Sequence, residues 1–256
     1  MKTPYTMRNA ECGMRNAERR TQHPAQHATR NTPPAFTLIE LLVVISMIAV
    51  LAALTFPAVG MARISIMRSR ARAELTNLET AIERYHDKLG YYPPDNPVNW
   101  AVNQLYYELL GTTNFTIGGV TYYQTLDNSA QIRATDIPTV FNNPNLTGFM
   151  NCSRGGEDGL PGGVAFLNGL KTAQFQAITN TGSSILYTVL RTTLDGPSIP
   201  LLDPKLNSWR YNSSSPQHNP KTYDLWIDVM AGSKTNRICN WSDKYLIIGN
   251  PQPAYP

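Results

Sequence analysis

The chain is poor in the residues from which catalytic and metal sites are usually built. It has three cysteines and four histidines in 256 residues. Cys12 lies in the leading segment, while Cys152 and Cys239 lie far along the chain. No CxxC pair or Cys/His cluster is present, which argues against a zinc site. Two of the histidines, His23 and His27, stand four apart, but Pro24 and the lack of a nearby third ligand mark a polar leader instead. No GxSxG, HExxH, P-loop or GxGxxG pattern occurs. Asp127, Asp136, Glu157 and Asp158 read as loop acids. No enzyme is expected from this inventory.

Charge is also scarce. Only 16% of residues are charged, and the net charge is +4. All of that excess lies in residues 1–35, through Lys2, Arg8, Arg15, Arg19, Arg20 and Arg30 against Glu11 and Glu18. Beyond residue 35 the basic and acidic residues balance, so no nucleic-acid partner is expected.

What the chain does contain is one long apolar run. Residues 1–35 are polar, carry four prolines and include an imperfect repeat, MRNAECG then MRNAERR. Residues 36–59 then read FTLIELLVVISMIAVLAALTFPAV. A spanning helix needs about 20 apolar residues. The run exceeds a secretory h-region of about 7–15 residues, and no A-x-A site follows it. Its one charge is Glu40. A charge at the centre of a membrane helix costs about 2.5–3.5 kcal/mol, and less near an end, so such a residue usually has a partner and a role.

Past Pro57 the helical pattern continues with a different polarity. Ile64, Met67, Ala71, Leu75, Leu78, Ile82, Tyr85 and Leu89 recur at spacings of three and four, which makes one apolar stripe. Gly90 and then Pro93-Pro94 end it. A single helix over 36–89 would be roughly 80 Å long. Pro57 is expected to kink or locally melt it. Residues 91–256 are rich in turn formers; the whole chain has 17 Gly and 19 Pro. A short helix is predicted over 103–110, and strands over 115–123, 184–191, 223–230 and 244–249. Residues 155–163 and 198–220 read as irregular. The expected class is α+β, a long helix packed by its second half on an antiparallel sheet.

The order of features around residue 36 is specific. A basic leader ends at Ala35, and FTLIELLVVI follows. This resembles the class III signal of type IV prepilins and type II secretion pseudopilins. The resemblance implies a type IV pilin-like fold. It implies cleavage between Ala35 and Phe36 by a prepilin peptidase, and N-methylation of Phe36. Glu40 and Pro57 stand fifth and twenty-second from that cut, as in the family. The residue before the cut is Ala35 where the family pattern has Gly. In such an assembly Glu40 pairs with the Phe36 amine of a neighbouring subunit, and Pro57 is a flexible point for extraction and packing. The implied domain order is leader 1–35, transmembrane and fibre-core segment 36–59, amphipathic segment 60–90 and a periplasmic α+β domain, 91–256. Counting arginines near the run would not by itself give that orientation. Arg19, Arg20 and Arg30 precede it, whereas Arg63, Arg68, Arg70 and Arg72 follow. The later arginines would meet acidic residues of adjacent subunits or lipid headgroups.

YHDKLGYYP over 85–93 is similar to the helix exit of the general secretion pathway protein G family, the major pseudopilins. Asp203-Pro204, Trp209-Arg210-Tyr211 and Tyr223-Asp224-Leu225-Trp226 are similar to its distal pattern. The similarity implies a structural subunit of a type II secretion pseudopilus. Its partners would be copies of itself, other pseudopilins, and an inner-membrane assembly platform with its ATPase. That family binds calcium in the distal loop, but here the loop 231–237 reads AGSKTNR and has no carboxylate. Asp224, Asp228 and Asp243 flank it and are the weak calcium candidates. No other cofactor is expected. After export Cys152 and Cys239 would either pair or remain buried thiols. The rival readings are a surface type IV pilin used for adhesion, motility or DNA uptake, a minor tip pilin, which a low copy number would favour, and a single-span anchored enzyme or binding domain.

Overall fold

A computed structural model describes residues 36–153, 163–179, 184–197, 206–232 and 234–248, with the side chains of 56–59 outside that set. The expected leader and its cleavage residue Ala35 lie outside the described residues. So does nearly all of the expected loop at 155–163.

Helix α1 spans Leu38–Leu89. The helical assignment runs through Pro57 without a break. The helix stops at Gly90, whose φ of 84° is a left-handed conformation open to glycine at little cost. Its N–H bonds the His86 carbonyl at 2.7 Å, which satisfies an end carbonyl. Two compact units divide the chain, residues 1–52 and residues 53–256. Within the second unit, Ala71, Leu75, Leu78, Ala81, Ile82 and Tyr85 are buried. These are the expected stripe positions from Ala71 onward, with Ala81 added. Ile64, Met67 and Leu89 are only half-buried. Each fully buried Leu or Ile contributes about 1.5–3 kcal/mol of apolar burial.

The short helix α2 is Leu105–Leu110. The remainder forms three sheets where one was expected. β1 (Thr112–Ile117), β2 (Val120–Thr125), β3 (Gln131–Arg133) and β4 (Cys152–Ser153) make the first, in the order β3-β2-β1-β4. The β1–β4 pairing is parallel. β5 (Phe175–Thr179), β6 (Leu186–Thr192) and β7 (Asn207–Ser208) make the second. β8 (Arg210–Asn212), β9 (Asp224–Ala231), β10 (Lys234–Cys239) and β11 (Ser242–Ile248) make the third, in reverse order along an antiparallel meander.

Two expectations are corrected. The single strand over 115–123 is a hairpin, because Gly118 and Gly119, with φ 58° and 80°, form its two-residue turn. The irregular stretch over 198–220 contains β7 and β8, whose Trp209 and Tyr211 are buried. Burial of these rings outweighs the turn-forming composition around them.

Candidate functional site

The N-terminus of α1 is built by a reciprocal cap. Thr37 precedes the first helical residue, and Glu40 lies three residues on. The Thr37 Oγ1 accepts the Glu40 N–H at 3.2 Å. Glu40 Oε2 accepts the Thr37 N–H at 2.9 Å and the Thr37 hydroxyl at 2.7 Å. This is a capping box, which satisfies two backbone donors that the helix leaves open. It also directs the Glu40 carboxylate back toward Phe36. The sequence reading gave Glu40 only an intermolecular role. The T-x-x-E spacing that carries the intramolecular one was present in FTLIE.

From this cap onward the helix presents apolar side chains outward. Phe36, Leu38, Ile39 and Leu41 through Ile45 are exposed, as are Met47, Ile48, Val50, Leu51 and Leu54. α1 is the one helix among the described residues long and apolar enough to cross a membrane, and none of its most apolar 18-residue window is buried.

The arginines after the run are engaged by the second unit itself. The Arg72 guanidinium donates to the carbonyls of Cys239 (2.9 Å) and Ser242 (2.6 Å), at the β10–β11 turn. Arg68 donates to Asn236 Oδ1 at 2.9 Å and lies over the Tyr245 ring, 3.4 Å from its centroid. Arg70 pairs with Glu74 at 3.3 Å. Three of the four cations thus fasten helix to sheet or pair along the helix, and Arg63 is exposed. Their position reflects packing of the third sheet, which a charge count cannot register. Arg72→Ala is expected to lower stability by about 1–3 kcal/mol, since bonds to a charged donor contribute about 1.5–3 kcal/mol and the group is partly exposed. Urea unfolding of the full chain in detergent, followed by tryptophan fluorescence, measures it. An unchanged midpoint would refute the fastening role.

The three calcium candidates do not converge. Asp224 Oδ2 accepts the N–H groups of Gln217 (2.8 Å) and His218 (3.0 Å), and its Oδ1 accepts that of Asn219 (2.9 Å). Asp228 is held by Arg237 at 2.8 and 2.9 Å. Asp243 is exposed on β11. No group of three or more His, Cys, Asp or Glu that could hold a metal ion occurs among the described residues. Asp224 and Asp228 spend their oxygens on protein donors, where calcium would need six to eight oxygen ligands. Of the two cysteines, Cys152 lies on β4 and Cys239 on β10, strands of different sheets.

One acid went unread in the sequence. Glu108, in the apolar LYYELL of α2, is fully buried. Its oxygens accept the N–H groups of Met150 (2.8 Å) and Asn151 (2.9 Å) and the Tyr85 hydroxyl (3.0 Å). Burial raises its pKa above the usual carboxylate range, against the opposing pull of these three bonds. A cleft of about 320 Å³ lies between the 74–84 stretch of α1, the 166–174 loop and β6. Among the described residues its lining offers one carboxylate, Glu74, and two guanidinium groups, Arg84 and Arg191, with no His, Cys, Ser or Lys. Its one hydroxyl among the described residues, Thr80, donates to the Thr76 carbonyl at 2.8 Å and not to a side-chain base.

The described residues therefore present an exposed apolar helix with a capped carboxylate at its start, and an α+β unit whose buried acids Glu108, Asp224 and Asp228 are occupied by structural bonds. Comparison of the chain with protein-family models, with curated proteins and with solved structures finds no match.

Proposed function

We propose that the chain is a structural, non-catalytic pseudopilin of type IV pilin-like fold, a subunit of a type II secretion pseudopilus. The observation that carries this reading is the first turn of α1. A lone carboxylate, Glu40, is aimed at Phe36 by Thr37, and a long exposed apolar helix face follows it. Cleavage between Ala35 and Phe36 frees an amine at that point. A carboxylate and an amine in an apolar setting each cost free energy alone, and pairing offsets it. With one Glu40 oxygen engaged by Thr37, the other is left for the amine of a neighbouring subunit. That contact sets the axial step between copies.

In this reading residues 36–59 hold the chain in the bacterial inner membrane, with the leader cytoplasmic and the α+β unit periplasmic. The platform ATPase drives its extraction. The apolar segments then bundle as the fibre core, and growth of the fibre pushes folded substrates outward. The buried acids Glu108, Asp224 and Asp228 serve the fold.

The test is the mass and N-terminus of membrane-extracted protein made with and without a prepilin peptidase. An N-methylated Phe36 terminus is expected only with the peptidase. A leader retained in both samples, or a cut elsewhere, would overturn the assignment.

A further inference from the structure

The cleft between α1, the 166–174 loop and β6 lies wholly within the second unit. On its α1 wall Glu74, Asn77, Ala81 and Arg84 stand at spacings of three and four, so they share one side of the helix. From Glu74 to Arg84, at about 1.5 Å per residue, the wall is about 15 Å long. An extended peptide rises about 3.3 Å per residue, so about four or five residues fill that length. The volume of about 320 Å³ falls within the usual range of ligand clefts, about 300–1,000 Å³.

The chemistry of the cleft changes along its length. At one end Glu74 is 8% exposed. Its Oε1 accepts from Arg70 Nε at 3.3 Å, while its Oε2 is buried and accepts no bond. A buried acceptor left without a donor is costly. At the other end Arg84 is exposed and has no bonding partner among the described residues. Leu78 and Ala81 lie between these two, and with Phe166, Leu190 and Trp209 they form a buried apolar floor. The side-chain amides of Asn77 and Asn168 are exposed and unbonded among the described residues. Gln174 uses only its oxygen, which accepts the Lys171 N–H at 3.0 Å. A side-chain amide carries a donor and an acceptor, as a peptide backbone does. Arg191, the second cation of the lining, spends its Nε on the Thr192 carbonyl at 3.1 Å and its Nη1 on Gln176.

An apolar floor, open amides and one charge of each sign at the two ends match an extended polypeptide. A neutral saccharide would leave both charges unmatched, and a small anion would meet only one end. We propose that this cleft binds an extended peptide segment of about four or five residues, with a basic side chain at the Glu74 end and an acidic one at the Arg84 end. The basic group supplies the donor that Glu74 Oε2 lacks, and the open amides meet the peptide backbone. The proposal does not depend on the span of α1 or on processing at Phe36.

The full chain in detergent is titrated calorimetrically with acetyl-Lys-Ala-Leu-Ala-Glu-amide, and with two versions that carry alanine in place of the lysine or of the glutamate. The first peptide is expected to bind roughly threefold or more tightly than either alanine version, as for a partly exposed ion pair. Glu74→Gln should erase the advantage of the lysine and keep that of the glutamate, and Arg84→Gln should do the reverse. Arg84 is exposed and unbonded, and Glu74→Gln keeps the side-chain shape, so both variants should fold, which unchanged circular dichroism shows. No binding up to millimolar peptide, equal affinity for the three peptides, or a preference that both variants retain would overturn the proposal. Self-association of the chain that Arg84→Gln abolishes, with no peptide bound, would also overturn it and give the cleft to a neighbouring copy.

Discussion

Asp228→Ala is expected to lower the unfolding free energy of the α+β unit by about 3–5 kcal/mol, the cost of removing one partner from a buried ion pair. Asp228 and Arg237 are directly opposed on β9 and β10 and bond through both oxygens at 2.8 and 2.9 Å. Asp228 is fully buried and Arg237 is 8% exposed. A second guanidinium, Arg210, is 1% exposed on β8, and its Nε and Nη1 have no partner among the described residues. Burial depresses its pKa, and the Asp228 charge opposes that. Truncating Asp228 therefore strands two buried cations. Replacing the pair together, Asp228→Leu with Arg237→Met, should recover only part of the loss, because it removes the stranded Arg237 but leaves the buried Arg210 without its counter-charge. The measurement is a urea titration of the full chain in detergent, read by the fluorescence of Trp209 and Trp226. A single variant within about 1 kcal/mol of the parent would refute the argument.

Glu108→Ala is expected to cost about 3–9 kcal/mol. It strands two backbone N–H groups and the Tyr85 hydroxyl, at roughly 1–3 kcal/mol for each buried donor. Tyr85 belongs to α1, Glu108 to α2, and Met150 and Asn151 to the segment entering β4. The Asn151 amide adds bonds to the carbonyls of Glu108 (2.6 Å) and Val164 (2.7 Å). The carboxyl thus ties the helix to the first sheet. The pH dependence has a definite sign. The folded-state pKa is raised, so the folded chain holds the proton more tightly than the unfolded one. That contribution is full below the ordinary Glu pKa and is lost as pH rises through the higher folded value. Stability of the parent should therefore decline over that window, and Glu108→Gln, which keeps a neutral amide there, should lack the decline. Parallel pH profiles for the two proteins would refute the assignment.

Local signals had different reach in different segments. The end of α1 was readable because Gly90 and Pro93-Pro94 act on the backbone beside them. Its stripe was readable because Leu75, Leu78, Ile82 and Tyr85 repeat at the helical period. The hairpin at Gly118-Gly119 carried a recognisable turn, but β-branched and aromatic residues on both sides masked it. β10 escaped notice because KTNRIC reads as polar. Its Asn236 and Arg237 are buried, since Arg68 and Asp228 supply their partners from 168 residues upstream and from the adjacent strand. Glu108 escaped for a similar reason. A carboxylate in a helical run looks solvated until the donors of Tyr85, Met150 and Asn151 are brought to it.

By itself the sequence determined the long helix, its apolar first half, the lone Glu40 and the α+β class, because periodicity and hydrophobicity act over neighbouring residues. Only the tertiary structure decided that the strands divide into three sheets and that Cys152 and Cys239 fall on different ones. It also decided that Arg68 and Arg72 fasten sheet to helix, and that the acids flanking the distal loop are spent on protein donors. Those outcomes depend on which distant groups meet in a desolvated interior, where an unpartnered charge or amide is costly, and spacing along the chain does not encode that meeting.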